Sequence, residues 1–598
     1  MSAINEIAEF AKKLSLSPAD TDYVRGLYLQ FGSKSLPQPL KIGDNFIPTA
    51  LMNEDDWTKY PEIDYGTKIY HKDEYAAAAK KVVLLAQSMD GGLGSSLGDL
   101  KEYLSTITEG RRALSGAKSS DLFKKVELDG FDAQGRVIKI VTAVSVLEFK
   151  VLQILSREKY FQRIDLQELE SEQSREFIEK FFDTEIYLKD RLDQRPGASK
   201  RTYRQYFKEI KKTATLKEPL IQALLPTIDI ATKRLTDRFK APGSHGYWGT
   251  TAIHEIINEN LSQDGTKQLR ALYNGDGQNN FIDHYMAGFM VQEGVGFVML
   301  TSTRMPIDAK GGILGLQKES NGKWRPGMME LADAKNVGQV SEFQAVGLTK
   351  GNKGKQRFNT NLVILNDSLL QPFLRELQSF LGEARFNEII APNLISNPDK
   401  EKGINKLEGA LGHVFLNLNA WIMTDQSLDG IKARELLSKY HISKLFATIN
   451  LESDQRTKFF TPNKAPSDQE YYNSDRFDVL ESGELINKGP DQQPGFELDP
   501  NIYGKAGKYI NSYNTFKGAS FREFTGMLSI KGQVNLSNVI FRGEAHINII
   551  NDTLEVHNLN NYASQLALQG ITVEGVDIVL SHHCTIKITK DGVFVTKL

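Results

Sequence analysis

The sequence predicts an α/β fold, and three observations lead to this class. Continuous apolar runs, rather than alternating ones, occur at 82–86, 137–141 and 295–300. Such runs are typical of strands in a mainly parallel sheet that is covered on both faces. Helical patterns, among them 168–182 and 203–212, lie between the runs. Strands that alternate with helices indicate an α/β domain, so we expect a largely parallel sheet flanked by helices.

Four regions are predicted along the chain. They are a helical and loop-rich segment at 1–77, the α/β domain at 78–470, a polar linker at 471–515 and a β-rich domain at 516–598. The α/β domain carries a charged stretch at about 165–215 that is interpreted as a helical insertion outside the ligand pocket. Short apolar runs in the last region predict a small β-solenoid or β-roll, which would serve as a packing module or an oligomer interface.

Composition and charge exclude several classes of partner. The formal net charge of −2 gives no reason to expect nucleic acid or an anionic membrane as a partner. The basic, aromatic stretch at 200–212 is interpreted as a solvated helix face.

The lone cysteine, Cys584, excludes an internal disulfide framework and fits a reducing compartment. With no signal-peptide pattern and no spanning apolar run, we expect a cytoplasmic protein.

A glycine-rich turn, GGLGSSLG at 91–98, directly follows the first apolar run. Glycines let backbone N–H groups approach a phosphate or a base closely, because no Cβ intervenes. The spacing is neither that of the dinucleotide-binding fingerprint nor that of the P-loop. Taken alone, this turn leaves a nucleotide-binding role and a purely structural role open.

Further polar motifs follow the glycine-rich turn along the chain. They are GAKS at 116–119, PGSHG at 242–246, NGDG at 274–277, DAKGG at 308–312, SEF at 341–343, FNTN at 358–361, LEGALG at 407–412 and PNKAPSD at 462–468. This order resembles the eukaryotic-type UTP–glucose-1-phosphate uridylyltransferase family, within the UDP-sugar pyrophosphorylase superfamily. The resemblance covers roughly residues 80–470. It departs from the family where about twenty residues separate Gly98 from Lys118.

The resemblance implies a fold and a reaction. The expected fold is a glycosyltransferase-A-like nucleotide-binding domain followed by a left-handed β-helix. The expected reaction is in-line attack by a sugar 1-phosphate on the α-phosphorus of UTP, which releases pyrophosphate and uses Mg²⁺. UTP and glucose 1-phosphate are therefore the expected partners. Two alternatives stay open: a pyrophosphorylase for N-acetylhexosamine 1-phosphate, and a family member that binds UDP-sugar without catalysis.

The same resemblance assigns candidate site residues. Lys118 would contact the nucleotide phosphates, Lys464 would neutralise the phosphates near the sugar 1-phosphate, and Asp276 would bind Mg²⁺, which prefers one or two carboxylates with phosphate oxygens and water. An aspartate that caps its own turn is the alternative for Asp276. The expected nucleotide-binding residues are Gly91, Gly92, Leu93, Gly94, Gly243, His245 and Gly246. The expected sugar-binding residues are Gly311, Gly312, Glu330, Asn359, Asn361 and Glu408.

Structural roles stay open for His245, Glu330 and Glu408. A further cluster, His582-His583-Cys584, is not expected to bind zinc, because adjacent strand residues point to opposite faces.

Overall fold

The computed structural model describes most of the chain. The described residues are 3–32, 39–90, 100–108, 118–261, 265–275, 277–279, 281–305, 308, 311–319, 321–348, 354–396, 398–463, 466–490, 494–499, 501–503, 509–536, 540–543, 546–550, 557–558, 572–574, 577–579, 584–589 and 592–597. Within these ranges, every helix is too short or too polar to cross a membrane.

Strands occur along the whole chain. They are Phe46–Pro48 (β1), Glu62–Asp64 (β2), Val82–Met89 (β3), Phe123–Phe131 (β4), Val137–Ser145 (β5), Arg163–Ser171 (β6), Ala214–Leu216 (β7), Leu220–Gln222 (β8), Leu224–Asp229 (β9), Leu235–Pro242 (β10), Lys267–Asn274 (β11), Val295–Thr303 (β12), Ile313–Lys318 (β13), Trp324–Met329 (β14), Arg357–Leu365 (β15), Leu394–Ile395 (β16), Pro398–Asp399 (β17), Ile404–Asn405 (β18), Glu408–Gly409 (β19), Lys444–Leu451 (β20), Phe477–Val479 (β21), Leu485–Asn487 (β22), Gly495–Leu498 (β23), Ser520–Phe524 (β24), Met527–Lys531 (β25), Val534–Asn535 (β26), Ile540–Gly543 (β27), His546–Ile550 (β28), His557–Asn558 (β29), Thr572–Glu574 (β30), Asp577–Val579 (β31), Cys584–Thr589 (β32) and Gly592–Lys597 (β33).

Helices lie mostly before residue 480. They are Ala3–Lys13 (α1), Pro18–Gly32 (α2), Glu54–Trp57 (α3), Tyr65–Lys68 (α4), Asp73–Ala79 (α5), Leu100–Ile107 (α6), Lys118–Asp121 (α7), Val146–Arg157 (α8), Arg175–Thr184 (α9), Leu188–Leu192 (α10), Tyr203–Glu209 (α11), His245–Asn258 (α12), His284–Gln292 (α13), Leu331–Asn336 (α14), Val340–Ala345 (α15), Asp367–Leu381 (α16), Glu383–Ile390 (α17), Leu411–Thr424 (α18), Leu428–Lys439 (α19), Ser453–Phe459 (α20), Pro466–Asn473 (α21) and Tyr509–Phe516 (α22), with 3₁₀ turns at Thr49–Leu51 and Glu158–Tyr160.

The central sheet is mixed and mainly parallel. Its main path runs β2-β20-β12-β15-β11-β3-β6-β7, and along that path β15 alone is antiparallel to its neighbours. β8 continues beside β6 beyond the end of β7. The carboxyl ends of β3, β6, β11, β12 and β20 therefore meet at one edge of the sheet, together with the amino end of β15. The predicted α/β class is confirmed.

Two apolar cores cover the two faces of this sheet. Alternate residues of one strand enter opposite cores: Leu269, Ala271 and Tyr273 of β11 join one, and Leu272 joins the other. A strand that is buried on both faces needs apolar side chains in both alternating sets. This is why β3 and β12 appear in the sequence as continuous apolar runs, as predicted.

The run at 137–141 differs from its prediction as a buried strand of the central sheet. It belongs to β5, which pairs antiparallel with β4 in a separate two-stranded sheet. Val137 and Val141 are 64% and 63% exposed. An apolar run shows that a strand forms but does not show what covers its faces.

The charged stretch at 165–215 is not a helical insertion throughout. Its first seven residues belong to β6, which pairs in parallel with β3 inside the central sheet. Helices α9, α10 and α11 follow, and two arginines at the start of α11 form ion pairs with nearby carboxylates. Arg201 pairs with Asp190 at 2.8 Å, and Arg204 pairs with Glu179 at 2.5 Å. Glu168, Glu170 and Ser171 lie at the carboxyl end of β6.

The regions at both ends of the α/β domain are more ordered than predicted. Segment 1–77 contributes β1 and β2 to the central sheet. The predicted linker at 471–515 contains β21, β22, β23 and α22. Arg476 is fully buried there and donates to the carbonyls of Phe521 and Phe524 at 2.9 and 2.8 Å. This segment therefore packs against the β-rich domain and is not a linker without structure of its own.

Strands of the β-rich domain stack in parallel. β23, β25, β28 and β32 form one stack, β24, β27 and β31 a second, and β26 and β29 a third. Successive strands of each stack come from successive passes of the chain, as in a β-solenoid. The left-handed winding stays a prediction.

A buried ion cluster joins the sheet to the helices on one face. Arg270 of β11 donates to Asp367 at the start of α16 at 3.1 Å and to Glu259 at the end of α12 at 3.1 Å. It also pairs with Glu255. Arg270 is 1% exposed and Asp367 is fully buried. Burial raises the pKa of Asp367 to about 6, although Arg270 opposes the shift.

We predict that Arg270→Leu lowers the free energy of unfolding by about 3–5 kcal/mol, because it leaves buried carboxylates without their cation. Urea unfolding followed by circular dichroism measures the loss. Arg175→Leu, at an exposed position of α9, is the matched control and should unfold with the parent chain. Coincident unfolding of Arg270→Leu and the parent would show that the cluster does not hold the layers together.

Candidate active site

Two of the predicted ligand loops leave the sheet side by side. The chain leaves β3 at Asp90, whose N–H donates to the Leu169 carbonyl of β6 at 2.9 Å. It leaves β11 at Gly275, whose N–H donates to the Met89 carbonyl at 3.0 Å. A Cβ on Gly275 would overlap the Asp90 carboxylate. The stretches that carry GGLGSSLG and Asp276 therefore start from neighbouring positions at the carboxyl edge.

Several predicted residues lie outside the described part of the chain. They are Gly91, Gly92, Leu93, Gly94, Asp276, Lys464, His582 and His583. Lys118 is the first residue of α7, where the structure describes its backbone alone. The roles of all these residues stay predictions. The described residues on either side of them show where the chain segments that carry them are attached to the fold.

Asn279 connects the segment of Asp276 to that of Lys464. Its backbone N–H donates to Thr461 Oγ1 at 2.5 Å, and its carbonyl accepts from the Thr461 N–H at 2.9 Å. Its side-chain Nδ2 donates to the Thr457 carbonyl of α20 at 2.6 Å. Asp276 and Lys464 are each three residues from this contact along the chain. Two loops from distant parts of the sequence are thus joined at one point.

Asn279 also binds the segment beyond the α/β domain. Its Nδ2 donates to the Leu485 carbonyl at 2.8 Å, and its Oδ1 accepts from the Leu485 N–H at 2.9 Å. Gln153 of α8 donates to the same Oδ1 at 3.1 Å. Asn279 is 1% exposed, so its amide is fully engaged inside the protein. An asparagine provides both the donors and the acceptor that this position requires.

Buried charged side chains surround the ends of β3 and β11. Lys150 of α8 donates to the Asn274 carbonyl. Glu168 of β6 is 2% exposed, and burial, followed by Asp90, raises its pKa well above the usual range. Burial also raises the pKa of Glu170 to about 8, and neither of its oxygens has a hydrogen-bond partner in the described part of the chain. Glu170 therefore favours the neutral form near pH 7, and burial moves the pKa of Glu168 in the same direction.

The predicted base-binding loop lies against Gln222, which ends β8. A Cβ on Gly243 would come within 2.7 Å of Gln222 Nε2. Gln222 is 1% exposed, and no described residue accepts a hydrogen bond from its Nε2. Gln222 pairs with Ser171 at the carboxyl end of β6, two strands from β11. The Gln222 amide therefore has a donor that no described residue uses, next to the backbone of the predicted base-binding loop.

The next residues of this loop pack on the LEGALG segment. Ser244 Oγ donates to the Gly409 carbonyl at 2.5 Å and accepts from the Gly409 N–H at 2.6 Å. A Cβ on Gly246 would lie 2.8 Å from the Gly409 carbonyl. His245 begins α12 and is half-buried. Glu408 precedes Gly409 and lies 3.8 Å from Lys406 Nζ, so it belongs with this loop.

The other predicted sugar residues form a second group. The Asn359 N–H donates to the Gly312 carbonyl at 2.9 Å, and a Cβ on Gly312 would lie 2.5 Å from Glu330 Oε1. Asn359 Nδ2 donates to Asn361 Oδ1 at 2.8 Å. Asn361 has φ of 59°, a left-handed backbone that asparagine tolerates better than most residues. Gly311 lies in the same group, where its Cβ would be 3.0 Å from the Phe358 ring.

A buried ion pair anchors the loop that carries Gly311 and Gly312. Asp308 accepts two hydrogen bonds from Arg456 of α20, at 2.7 and 2.6 Å. The two side chains are 2% and 1% exposed. Asp308 Oδ2 also accepts from the Met305 N–H at 2.8 Å, and its carbonyl accepts from the Gly311 N–H at 2.8 Å. The sugar loop is therefore tied to the helix that leads toward Lys464.

One cavity of about 580 Å³ lies at the carboxyl ends of β2 and β20. Its lining residues are Asp64, Tyr65, Gly66, Thr67, Tyr70, Glu452, Gln455 and Lys458. None of these is a predicted site residue, so this cavity is separate from the groups described above.

The described residues include no cluster of three or more metal-ligating side chains. Mg²⁺ does not require one, because it binds proteins through one or two carboxylates together with phosphate oxygens and water. The Asp90 carboxylate lies against Gly275, the residue before Asp276 in the sequence, so one described carboxylate is present where the predicted metal segment begins.

Sequence reasoning missed four residues of this site: Lys150, Gln222, Asn279 and Asp308. Asp308 lay inside the DAKGG motif, and Asn279 follows the NGDG motif by two residues, so both were close to a recognised signal. Lys150 and Gln222 lie in a helix and a strand with no motif around them. Their importance follows from burial and from partners that only the fold supplies.

Known structures with the same architecture are UDP-glucose pyrophosphorylases. A point variant of the Leishmania major enzyme in complex with UDP-glucose is 16% identical, covers 93% of this chain and 97% of its own, and has a TM-score of 0.61. The open and closed structures from Leishmania major match with a TM-score of 0.58 at 16% identity, over 93% and 97% of the two chains. A UDP-glucose phosphorylase from Trypanosoma brucei is 17% identical, covers 93% and 96%, and has a TM-score of 0.58.

The chain has the fold of these pyrophosphorylases. The resemblance inferred from the order of motifs is thus confirmed for the architecture. No protein-family model and no curated protein matches the sequence.

We predict that Glu170→Gln flattens the pH dependence of stability between about pH 4.5 and 8 in Mg²⁺-free buffer. The folded-state pKa of Glu170 is raised from 4.5 to about 8, so in this range the folded protein retains a proton that the unfolded chain releases. Stability should therefore fall as pH rises through the range. Glutamine mimics the neutral acid, so the variant should melt above the parent at pH 8 and close to it at pH 4.5.

Thermal melts at a series of pH values test this expectation. Glu172→Gln, at an exposed position two residues away, is the control and should leave the pH profile unchanged. Parallel pH profiles for Glu170→Gln and the parent would contradict a neutral Glu170.

Proposed function

We propose that this chain is a UTP–glucose-1-phosphate uridylyltransferase, which forms UDP-glucose and pyrophosphate reversibly and with Mg²⁺. The contact between Asn279 and Thr461 carries the proposal. It joins the segments of the predicted metal ligand, Asp276, and of the predicted phosphate-binding Lys464. The shared fold with enzymes named for this chemistry supports it. We expect the reaction to occur in the cytoplasm, where Cys584 stays reduced.

UTP would bind across the ends of β3, β8 and β11. The backbone N–H groups of Gly91, Gly92 and Gly94 would approach the nucleotide, as glycine permits. The Gln222 amide and the Gly243 backbone would recognise uracil, whose ring edge offers both donors and acceptors. Lys118 would contact the phosphates.

Glucose 1-phosphate would bind beside Gly311 and Gly312. The amides of Asn359 and Asn361 and the carboxylate of Glu330 offer donors and acceptors to sugar hydroxyls. The Asp308–Arg456 pair would hold this loop in place. Holding two substrates in a reactive geometry lowers the entropic cost of bringing them together, and this effect accounts for a large part of catalysis.

The chemical step brings an anionic phosphate to an anionic triphosphate. Lys464 would offset the charge of the attacking phosphate. Asp276 and Asp90 would hold Mg²⁺, which when bound supplies charge neutralisation to the reacting phosphates. In-line transfer to the sugar phosphate requires no covalent intermediate with the protein.

A panel of sugar 1-phosphates assayed for pyrophosphate release with UTP and Mg²⁺ tests the proposal. We expect glucose 1-phosphate to give the highest kcat/KM. A preference for N-acetylglucosamine 1-phosphate would assign the chain to the second pyrophosphorylase class. Tight UDP-glucose binding without pyrophosphate release would show a binding protein instead.

We predict that Asp276→Ala lowers kcat by about a thousandfold and Lys464→Ala by about a hundredfold or more, as for loss of preorganised charge-stabilising groups. The effect should fall mainly on kcat, because the charges act most strongly in the transition state. Steady-state kinetics with saturating Mg²⁺ and a thermal melt of each variant provide the measurement. Turnover near that of the parent in Asp276→Ala would place the metal site elsewhere.

Asn279→Leu should lower kcat by about a hundredfold and also lower the melting temperature. It leaves the buried carbonyls of Thr457 and Leu485 without a donor, and each such group costs about 1–3 kcal/mol. Asn487→Leu, which removes a half-buried amide of β22 that bonds, among the described residues, only to Gly489 and Pro490 in the following turn, is the matched control. If Asn279→Leu loses stability but keeps the parent's kcat, the contact holds the fold and does not position the catalytic loops.

A further inference from the structure

The β4–β5 hairpin exposes an unusual amount of apolar surface. Four of the twelve large apolar side chains that are exposed in the described part of the chain lie on it. Val137 and Val141 are 64% and 63% exposed, and Phe131 and Ile138 are 38% and 39% exposed. Phe131, Val137 and Val141 lie on one face of the hairpin and Ile138 on the other, because successive strand residues point to opposite faces. Exposed apolar residues scattered singly are normal, but four on one two-stranded hairpin are more than such scatter accounts for.

The outer edge of β5 has no strand beside it in the described part of the chain. β4 is partly covered on its outer side, where the Gln194 N–H donates to the Phe131 carbonyl at 2.9 Å. Among the described residues, β5 pairs with no strand other than β4. Native proteins usually protect such an edge with a bulge, a proline, charged side chains such as lysine, or a covering loop. The central part of β5 carries one charged residue, Lys139, which already pairs with Asp129 of β4, and the residues on either side of it are β-branched.

The hairpin turn determines which backbone groups of β5 face outward. The Asp132 N–H donates to the Arg136 carbonyl and closes the turn. Hydrogen-bonded and non-bonded pairs alternate along an antiparallel ladder, so Ile138 and Ile140 bond to β4. The N–H and C=O groups of Val137, Lys139 and Val141 therefore point away from β4, toward a strand that would extend the sheet.

The sequence of this edge is a palindrome. Val137-Ile138-Lys139-Ile140-Val141 has the same order of residue types in both directions. When two such strands run antiparallel with their Lys139 residues opposite each other, Val137 faces Val141 of the partner subunit. Every outward-facing group of the three residues then lies in a hydrogen-bonded pair. The edge is thus complementary to a second copy of itself, which is the property of a two-fold interface.

The charge at the centre of this pairing is compensated within each copy. Lys139 Nζ lies 2.6 Å from Asp129 Oδ1 across the hairpin. Two lysines opposite each other would repel, but each already faces a carboxylate on its own β4 strand. The four side chains together carry no net charge.

We propose that two copies of this chain associate through antiparallel pairing of β5 around Lys139, forming a four-stranded sheet across a two-fold axis. We assign a second copy of this chain, rather than an unrelated strand, as the partner of this edge. The palindrome allows one symmetric register in which the outward N–H and C=O groups of both copies are paired. This interface is independent of the proposed activity.

Cysteine cross-linking in a Cys584→Ser background tests the register. Lys139→Cys should form a disulfide-linked dimer under mild oxidation. Opposed Cα atoms in a hydrogen-bonded pair are about 5.5 Å apart, which a disulfide can span. Val137→Cys alone should not cross-link, because the two positions lie about 13 Å apart along the strands. Val137→Cys combined with Val141→Cys should cross-link again. Equal cross-linking by Val137→Cys and Lys139→Cys would overturn the proposed register.

Sedimentation velocity of the full chain across the micromolar range tests the association itself. Lys139→Pro removes an outward N–H and spares the bonds from β5 to β4, so it should weaken dimerisation at least tenfold while the melting temperature changes by only a few degrees. Lys139→Ala, which keeps the backbone donor, is the matched control and should still dimerise. A parent chain that stays monomeric, or a Lys139→Pro variant that dimerises as the parent does, would overturn the proposal.

Discussion

The hydrogen bonds of Asn279 are the contact on which the candidate active site depends. They connect α8, the stretch after β11, the end of α20 and β22, which lie far apart in the sequence. A buried amide whose donors and acceptor are all paired rigidifies its surroundings, whereas a partly paired one is costly. No charged side chain of similar size could replace it, because a carboxylate lacks the donors that the Thr457 and Leu485 carbonyls require.

Glycines at the carboxyl edge have a role that their motifs do not reveal. In three places, a neighbouring polar side chain occupies the space that a Cβ would fill. Asp90 lies against Gly275, Gln222 against Gly243, and Glu330 against Gly312. In sequence, a glycine-rich loop indicates close approach to a ligand. In this fold, the same glycines also let functional groups of adjacent elements come together, so a substitution at any of them would displace a polar partner as well as the backbone.

Features that depend on local sequence patterns, such as buried strands, can be predicted from the sequence. Features that depend on contacts between distant residues cannot. The apolar runs of β3 and β12 and the order of motifs predict the fold class correctly, and the roles of the site residues stay predictions. The strand at 137–141 was placed in the wrong sheet, because burial on both faces and exposure at an edge leave the same apolar pattern. The Asp308–Arg456 pair joins residues 148 positions apart, and neither side chain alone signals a buried partner.

Electrostatics explains why so many acidic residues are tolerated where a polyphosphate is proposed to bind. Three carboxyl groups, those of Asp90, Glu168 and Glu170, lie near the ends of β3 and β6. If all were ionised they would repel the nucleotide strongly in a region of low dielectric. Burial raises the pKa values of Glu168 and Glu170, which keeps the local negative charge below the number of carboxyl groups. Lys150, whose charge lowers the pKa of Glu168, adds a cation on the same side. The proposed binding of a metal ion and phosphates at this edge would therefore meet less negative protein charge than the number of carboxyl groups suggests.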